Sequence, residues 1–494
     1  MTRTPGSRPP ATDGSGEPGE RPGSAVTRVE ATTTTVVLGE REWRRTTGTL
    51  HGVVGAGERI AGLDGLTTDE YGRYAYSAQF EVLDPGGAGD LVLVDMENRG
   101  RPATLLTLEQ LALGSADSTP TGAVYPPGRG TGFLAEQDLG YARVQWESGI
   151  AAGVPASAQG VGEVVVRDFG RLLTGAAGPL EGDSPLPRFG AAVLTGISQS
   201  AWFVTTFVAE GFNVDPRTGG GVYAAALAVS GTGNWLAINQ LAGKEAQRPY
   251  LLENGVPLAY EQILTRGDSD PLYVDVATYT DYYRLRASVT AHAERSPDVH
   301  RYDWPAPHAG PAYPDAMVFG VLGCNGGIEV PRNPIAYDPY LRSVVADLAA
   351  VLRGSTPDGA GLPESAVFEL VPPPPSATVN ELPGVELAVP AVDDDTAQPL
   401  GGVRFPDAVV PLGRPLPVAL GPVGTSSITD VCGNWGGWEP FTAAELRDRY
   451  GDVDGYLARY DAAVDEQIRA GYLRAGEREP MLAKARAAFL ATGA

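Results

Sequence analysis

The stretch AAVLTGISQSAWFVTTFVAEGFN, residues 191 to 213, constrains this chain more than any other. Ala191 to Leu194 read as a short apolar strand and Gly196-Ile197-Ser198-Gln199-Ser200 as a tight turn. The spacing of Trp202, Phe203, Val204, Phe207 and Val208 then predicts a helix, ended by Gly211. A strand that turns this sharply into a helix forces the turn residue into a strained backbone region and tolerates only small neighbours. The Ser198 hydroxyl would then stand above the end of the sheet. The helix N-terminus behind it would aim free N–H groups at any oxyanion forming there. The bland reading of the same residues is a Ser/Gly loop between a core strand and a core helix. The last small position is Ser200 and not Gly, a looser match to the Gly-x-Ser-x-Gly pattern of an exposed nucleophile.

Composition removes several function classes. The chain has 494 residues, enough for one large α/β domain with additions or for two domains. A formal charge of −23 argues against nucleic acid and anionic membranes as partners, since both require clustered Lys and Arg. Cys324 and Cys432 are the only cysteines, which excludes a disulfide framework and a Cys-rich zinc site but leaves one bridge between them open. His51, His292, His300 and His308 have no metal-ligand spacing, so neither a metal nor another cofactor is expected. No apolar run reaches the roughly 18 residues that a membrane span needs.

Residues 1 to 25 are Pro, Gly, Ser and charge, the composition of a disordered tail with no secretory apolar region. Short β segments follow from Val26 to about Asp95, among them the β-branched run Thr32 to Val37. Leu91 to Asp95 read as a buried strand, and Asn98, Arg99 and Gly100 as the polar turn that would supply a second oxyanion N–H. Without the turn at Ser198, that segment reads equally well as a strand end with a solvated Arg. Tyr141 to Trp146 is the next strand, followed by a loop carrying Glu147; Val161 to Leu173 is an amphipathic helix in which Arg167 and Asp168 read as a structural ion pair or a cap contact, not as catalytic groups. Gly219 to Gly231 contains another buried strand. The aperiodic segment 232–270, with Trp235, Asn239, Tyr250 and Tyr260, suits a cap insertion. Beyond Gly354 the chain turns Pro-rich, and from Thr442, whose Thr442 to Glu445 segment spells a capping box, it is helical.

A serine hydroxyl is a weak nucleophile and needs a base oriented by a carboxylate. His292 falls in a helix and His300 inside the strand Asp298 to Tyr302, whereas His308 lies in the loop after that strand, at the edge where Ser198 emerges. Asp281 follows the strand LYVDVAT and precedes His308 by 27 residues. Asp275 sits within that strand, Asp268 and Asp270 precede it, and Asp303 is too close to the histidine's own loop. The expected roles are Ser198 as nucleophile, His308 as general base and then acid, and Asp281 as the acid that fixes the imidazole tautomer. The Gln199 backbone N–H would be one oxyanion donor. Asp281 reads equally as the N-cap of the helix that follows.

These segments together carry a family resemblance. GISQS followed by FVAEGFN, the VVVRDFGRLL helix, the strand ending in MENRG, the TDYYRLRAS turn and CNGGIEVPRNP resemble the large bacterial alpha/beta hydrolase domain-containing family. The likeness runs from about Thr46 to the C-terminus, through the VDDD and PLG segments near residues 392 to 413. In that family the serine sits in a G-x-S-Q-S-G elbow, with an N-R-G turn and an acid-Tyr-aromatic-Arg turn. The resemblance implies an α/β-hydrolase fold and carboxylic-ester hydrolysis, with Ser198 and His308 in matching positions. Asp281 stands where the family usually has Glu, Ala201 replaces the Gly after the elbow, and an element near Asn239 is degraded.

The expectation is therefore an α/β-hydrolase fold, a mostly parallel central sheet flanked by helices, with N-terminal β segments and a C-terminal helical extension. Its parts would be a tail (1–25), a catalytic domain (26–375) with a cap insertion at 232–270, and an extension (376–494). The function would be that of a cytoplasmic serine esterase acting on a small-molecule ester, without cofactor. An acyltransferase with the same triad, or a binding protein that keeps the fold without turnover, are the alternatives.

Overall fold

The computed structural model describes residues 23–86, 89–111, 119–125, 129–178, 180–238, 255–310, 331–355, 361–418 and 431–494. The tail through residue 22, Asn239, Tyr250 and Cys324 lie outside the described residues, as does the side chain of Cys432.

One nine-stranded sheet organises the chain. Its strands are β1 (Ala25–Leu38), β2 (Arg41–Val54), β3 (Tyr74–Asp84), β4 (Leu91–Asp95), β5 (Gly140–Val144), β6 (Ala191–Ile197), β7 (Ala225–Val229), β8 (Leu272–Thr278) and β9 (Val299–Trp304). They lie in the order β1-β2-β3-β5-β4-β6-β7-β8-β9. The pairings from β1 to β5 across β2 and β3 are antiparallel, and those from β5 through β4 to β9 are parallel. The sheet is thus mostly parallel in its second half, as an α/β-hydrolase fold requires.

Burial explains the composition of the parallel strands. Val92 and Val94 of β4 enter the apolar core on one face, with Val165 and Phe169 of the helix Val161–Leu173 and Phe203 and Phe207 of the helix Gln199–Ala209. Leu91 and Leu93 enter the core on the other face, with Leu341 and Val345 of the helix Asp338–Leu352 and residues of the C-terminal helices. A strand covered on both faces loses the apolar/polar alternation and becomes one hydrophobic run. That is why LVLVD and AALAV were legible as strands.

Several details depart from the sequence expectation. The fifth strand ends at Val144 and not Trp146. Gln145 N–H still donates to Gln79 O (2.9 Å), but Trp146 has turned out of the ladder and packs against Phe203, with ring centroids 4.3 Å apart and planes tilted by 48°. The helix Val161–Leu173 is buried at every position, so it is not amphipathic in its environment. Its Arg167 and Asp168 do pair, and Arg167 also binds Glu58 (2.5 Å). The C-terminal helical stretch is broken at Gly451 and Asp452 into Ala443–Tyr450 and Val453–Arg469, followed by Arg478–Ala491. Gly451 takes a positive φ of 79°, and Asp452 caps the next helix by accepting from Asp454 and Gly455 N–H. The Thr442–Glu445 capping box forms as expected. Of the segment 232–270, Leu258, Tyr260 and Ile263 pack into the same core as the helix Gln199–Ala209.

Chain order places the crevice. After β4 the chain steps to β5 on one side, and β6 lies against β4 on the other. Ligand sites of open parallel sheets lie at the carboxyl ends of strands where the order reverses in this way. The loops after β4 and β6 meet there.

Candidate active site

Ser198 sits between β6 and the helix Gln199–Ala209 with φ 63° and ψ −124°, outside the regions that a residue with a side chain ordinarily occupies. Three local features hold it. Its N–H donates to Val229 O of β7 (2.8 Å), and its carbonyl accepts from Ala201 (2.9 Å) and Trp202 (3.2 Å) at the start of the helix. Gly196 leaves no room for a side chain, because a Cβ there would lie on the Ser200 carbonyl. The Ser200 hydroxyl donates to Ile197 O (2.9 Å) and accepts from Ile197 N–H (3.0 Å), bracing the turn from inside. The serine that replaces Gly in the elbow pattern is thus a structural tie. Two residues past β7, Gly231 allows close approach, since a Cβ there would stand 3.0 Å from the Ala201 Cβ.

His308 lies in the loop after β9 and is buried. Its Nε2 is 2.8 Å from Ser198 Oγ, and its Nδ1 is 2.6 Å from Asp281 Oδ1. With the proton on Nδ1, the ring donates to Asp281 and accepts from the Ser198 hydroxyl. Asp281 is fully buried and belongs to the short helix Tyr279–Arg284, which follows β8 directly. It is not the N-cap: that position is Thr278, and Asp281 stands three residues into the helix. Its second oxygen accepts from Thr278 N–H (2.7 Å), so one carboxylate both caps the helix and faces the imidazole. The loop carrying His308 is fastened on both sides. Ala306 O accepts from Tyr279 N–H (3.0 Å), and Ala309 N–H donates to Asn434 O (2.8 Å) in the 3₁₀ helix Val431–Trp435.

The other titratable residues considered from sequence are used elsewhere. Asp275 accepts from Arg301 and from Tyr260 OH (2.9 Å). Asp303 accepts from Arg301 Nε (2.7 Å), Tyr282 OH and Phe368 N–H (2.9 Å). Asp270 accepts from Arg266 N–H (2.6 Å). His300 Nδ1 faces Pro363 O (3.1 Å), and His292 ends the short helix Ser288–Ala291.

The turn after β4 meets the serine turn. Asn98 Nδ2 donates to Ile197 O (3.0 Å), one residue before Ser198. Asn98 and Arg101 exchange backbone hydrogen bonds (2.8 and 3.1 Å), which leaves Arg99 and Gly100 at the tip, both with positive φ. Among the described residues the Gly100 N–H carries no hydrogen bond. Beneath this turn, burial pushes Asp95 up to about 6 and Glu97 up to about 7, the latter opposed by the Arg143 guanidinium.

Sequence reasoning passed over Glu147. It is 8% exposed, and its Oε1 accepts from Gln199 Nε2 (2.9 Å). Burial raises its pKa; the hydrogen bond from Gln199 and the nearby Arg99 act in the opposite direction. No spacing rule finds such a residue, because it comes from the β5 loop and serves elements about 50 residues away on either side. Among the described residues no group of His, Cys, Asp and Glu could hold a metal ion, and no helix is long and apolar enough to cross a membrane.

An elbow at a switch point of a mostly parallel sheet, with an imidazole and a carboxylate in line, defines the class as an α/β hydrolase in architecture. Residues 136–483 match the family described as "Alpha/beta hydrolase domain", and the chain belongs to that family. No curated protein sequence matches the chain. Among solved structures it is similar to a dienelactone hydrolase from Anabaena variabilis, at 11% identity and a TM-score of 0.27, covering 66% of this chain and 96% of that one. It is also similar to a glucuronoyl esterase from Solibacter usitatus (10% identity, TM-score 0.27, covering 53% of this chain and 70% of that one). A third is the S-formylglutathione hydrolase of Staphylococcus aureus (10% identity, TM-score 0.26, covering 53% and 92%). Likeness at this level identifies no substrate.

Proposed function

We propose that the protein is a serine hydrolase that cleaves a carboxylic ester of a small molecule through an acyl-enzyme. The observation that carries this reading is the hydrogen-bonded line from Ser198 Oγ through His308 to Asp281, set at a positive-φ turn. In the first step Ser198 Oγ attacks the ester carbonyl carbon while His308 Nε2 takes its proton. Asp281 holds the imidazole with its proton on Nδ1 and stabilises the imidazolium. The Gln199 N–H, at the start of the helix, and the Gly100 N–H, at the tip of the neighbouring turn, are the donors for the carbonyl oxygen as it becomes an oxyanion. His308 then returns its proton to the leaving alcohol. Water, activated by the same imidazole, releases the acid and restores Ser198.

Acyl transfer to an alcohol uses the same groups and differs only in which nucleophile enters second. Product analysis on a panel of p-nitrophenyl esters and lactones, with and without added acceptor alcohol, tests the reading. Hydrolysis that disappears in Ser198→Ala, with the melting temperature unchanged, is the expected result. A Ser198→Ala protein of full activity would refute it.

A further inference from the structure

The two oxyanion donors proposed above come from separate segments, the Asn98–Gly100 turn after β4 and the helix beginning at Gln199. The Asn98 side chain already joins the first segment to Ile197 O (3.0 Å), ahead of the elbow. The β5 loop adds a second link, with two adjacent side chains. Trp146 Nε1 donates to Glu97 O (3.0 Å), the carbonyl just before Asn98, and the Trp146 ring packs at a tilt against Phe203 of the elbow helix. Glu147 Oε1 accepts from Gln199 Nε2 (2.9 Å), and its Oε2 is buried without a hydrogen-bond partner among the described residues.

The loop is itself well anchored. Glu147 O accepts from Ile150 N–H (3.1 Å) and Ala151 N–H (2.8 Å), and Gly162 lies so close that a Cβ there would strike the Trp146 carbonyl. A rigid loop that grips both donor segments fixes their separation. The required precision is high, since a displacement of about 1 Å in such an arrangement can cost on the order of 10²-fold in rate.

We infer that Glu147 is a positioning residue of this site: resting on the hydrolase reading, it holds Gln199 to the β5 loop, whose Trp146 grips the Asn98–Gly100 turn through Glu97 O, so that the two donor N–H groups converge on one oxygen. Its side chain acts through Gln199 and, among the described residues, makes no hydrogen bond to Ser198 or His308. The need is for an acceptor at this position, and a neutral amide supplies one as a carboxylate does.

The test uses the full-length protein with Glu147→Gln and Glu147→Leu, steady-state kinetics on p-nitrophenyl acetate, and the inhibition constant of an aryl boronic acid, which forms a tetrahedral adduct on an active serine. Glu147→Leu fills the same space but leaves Gln199 Nε2 without its acceptor. It should lower kcat by about 10- to 100-fold and weaken boronic acid binding by a similar factor, with KM changed less than about threefold. Glu147→Gln should stay within about threefold of wild type on both measures.

A Glu147→Leu protein with wild-type kcat and boronate affinity would overturn the assignment, and so would a Glu147→Gln protein as impaired as Glu147→Leu. A wild-type protein that neither turns over the ester nor binds the boronate would overturn the hydrolase reading itself. The two failures are therefore separable.

Discussion

At the scale of single residues, the account turns on a conformation that the chain holds at a cost. A serine at φ 63° is strained by about 1–3 kcal/mol. The ties from Ser200, Val229 and the helix start hold it there. The glycine at 196 and the serine at 198 were legible because their physics is local. Asp281 and His308 were legible through chain order, as the residues following two successive parallel strands. Sequence had offered Asp281 both a capping and an orienting task; what it did not disclose is that the cap is made from the third helical position. Thr278 N–H claims its Oδ2, which decides what Asp281→Asn would do. The amide oxygen would turn to Thr278 and the NH₂ to His308, forcing the imidazole proton onto Nε2, where it cannot accept from Ser198. We expect Asp281→Asn to lose about 10³- to 10⁴-fold in kcat with KM little changed, and His308→Ala to lose about 10³-fold or more. Kinetics within a few-fold of wild type for either variant would remove that residue from the proposed mechanism.

At the scale of elements, the parallel strands were readable as apolar runs, while their partners across the fold were not. The C-terminal region offered the Thr442 capping box, helical spacing and GNWGGW, Gly433 to Trp438, as a Gly/aromatic turn. That turn, a 3₁₀ helix to Trp435 that runs on into the strand Gly437–Pro440, reaches back over more than a hundred residues to hold the His308 loop through Asn434 O and Ala309 N–H. Contacts of that range leave no periodic trace. Gly436 makes the turn possible: its φ is 55°, and a Cβ would stand 3.0 Å from Leu416 O and 3.5 Å from the Pro307 Cβ. Gly436→Ala should therefore destabilise the protein by more than about 1 kcal/mol. Because the turn braces the His308 loop, it should also lower kcat more than it raises KM. Differential scanning calorimetry with ester kinetics reads both effects, and a variant with the wild-type melting temperature and kcat would show that the turn does not brace the loop.

At the scale of the whole molecule, both faces of the parallel half of the sheet are covered, and acidic side chains are enclosed along with the apolar ones. Burial pushes Glu163 and Glu97 each up to about 7. Between the ordinary carboxylate range, about 4, and those raised values, the folded protein holds protons that the unfolded chain has released. Stability contributed by these groups is complete below the unfolded value and is lost as pH rises through the folded one. The melting temperature should accordingly fall between about pH 5.5 and pH 8, and the fall should be smaller in Glu163→Gln. A melting temperature that rises over this interval would contradict the burial assigned to these carboxylates. The formal charge of −23 was plain in the sequence; which carboxylates are enclosed was not, because enclosure depends on helices joined to the sheet from distant parts of the chain.

For the molecule as a catalyst, the decisive measurement is labelling with a fluorophosphonate, which reacts with a serine only when a neighbouring base has activated it. After digestion, mass spectrometry should find the adduct on the peptide containing Ser198, in near one-to-one yield, and none on His308→Ala protein. No adduct on the wild-type protein, under conditions that label a control serine esterase, would contradict the account.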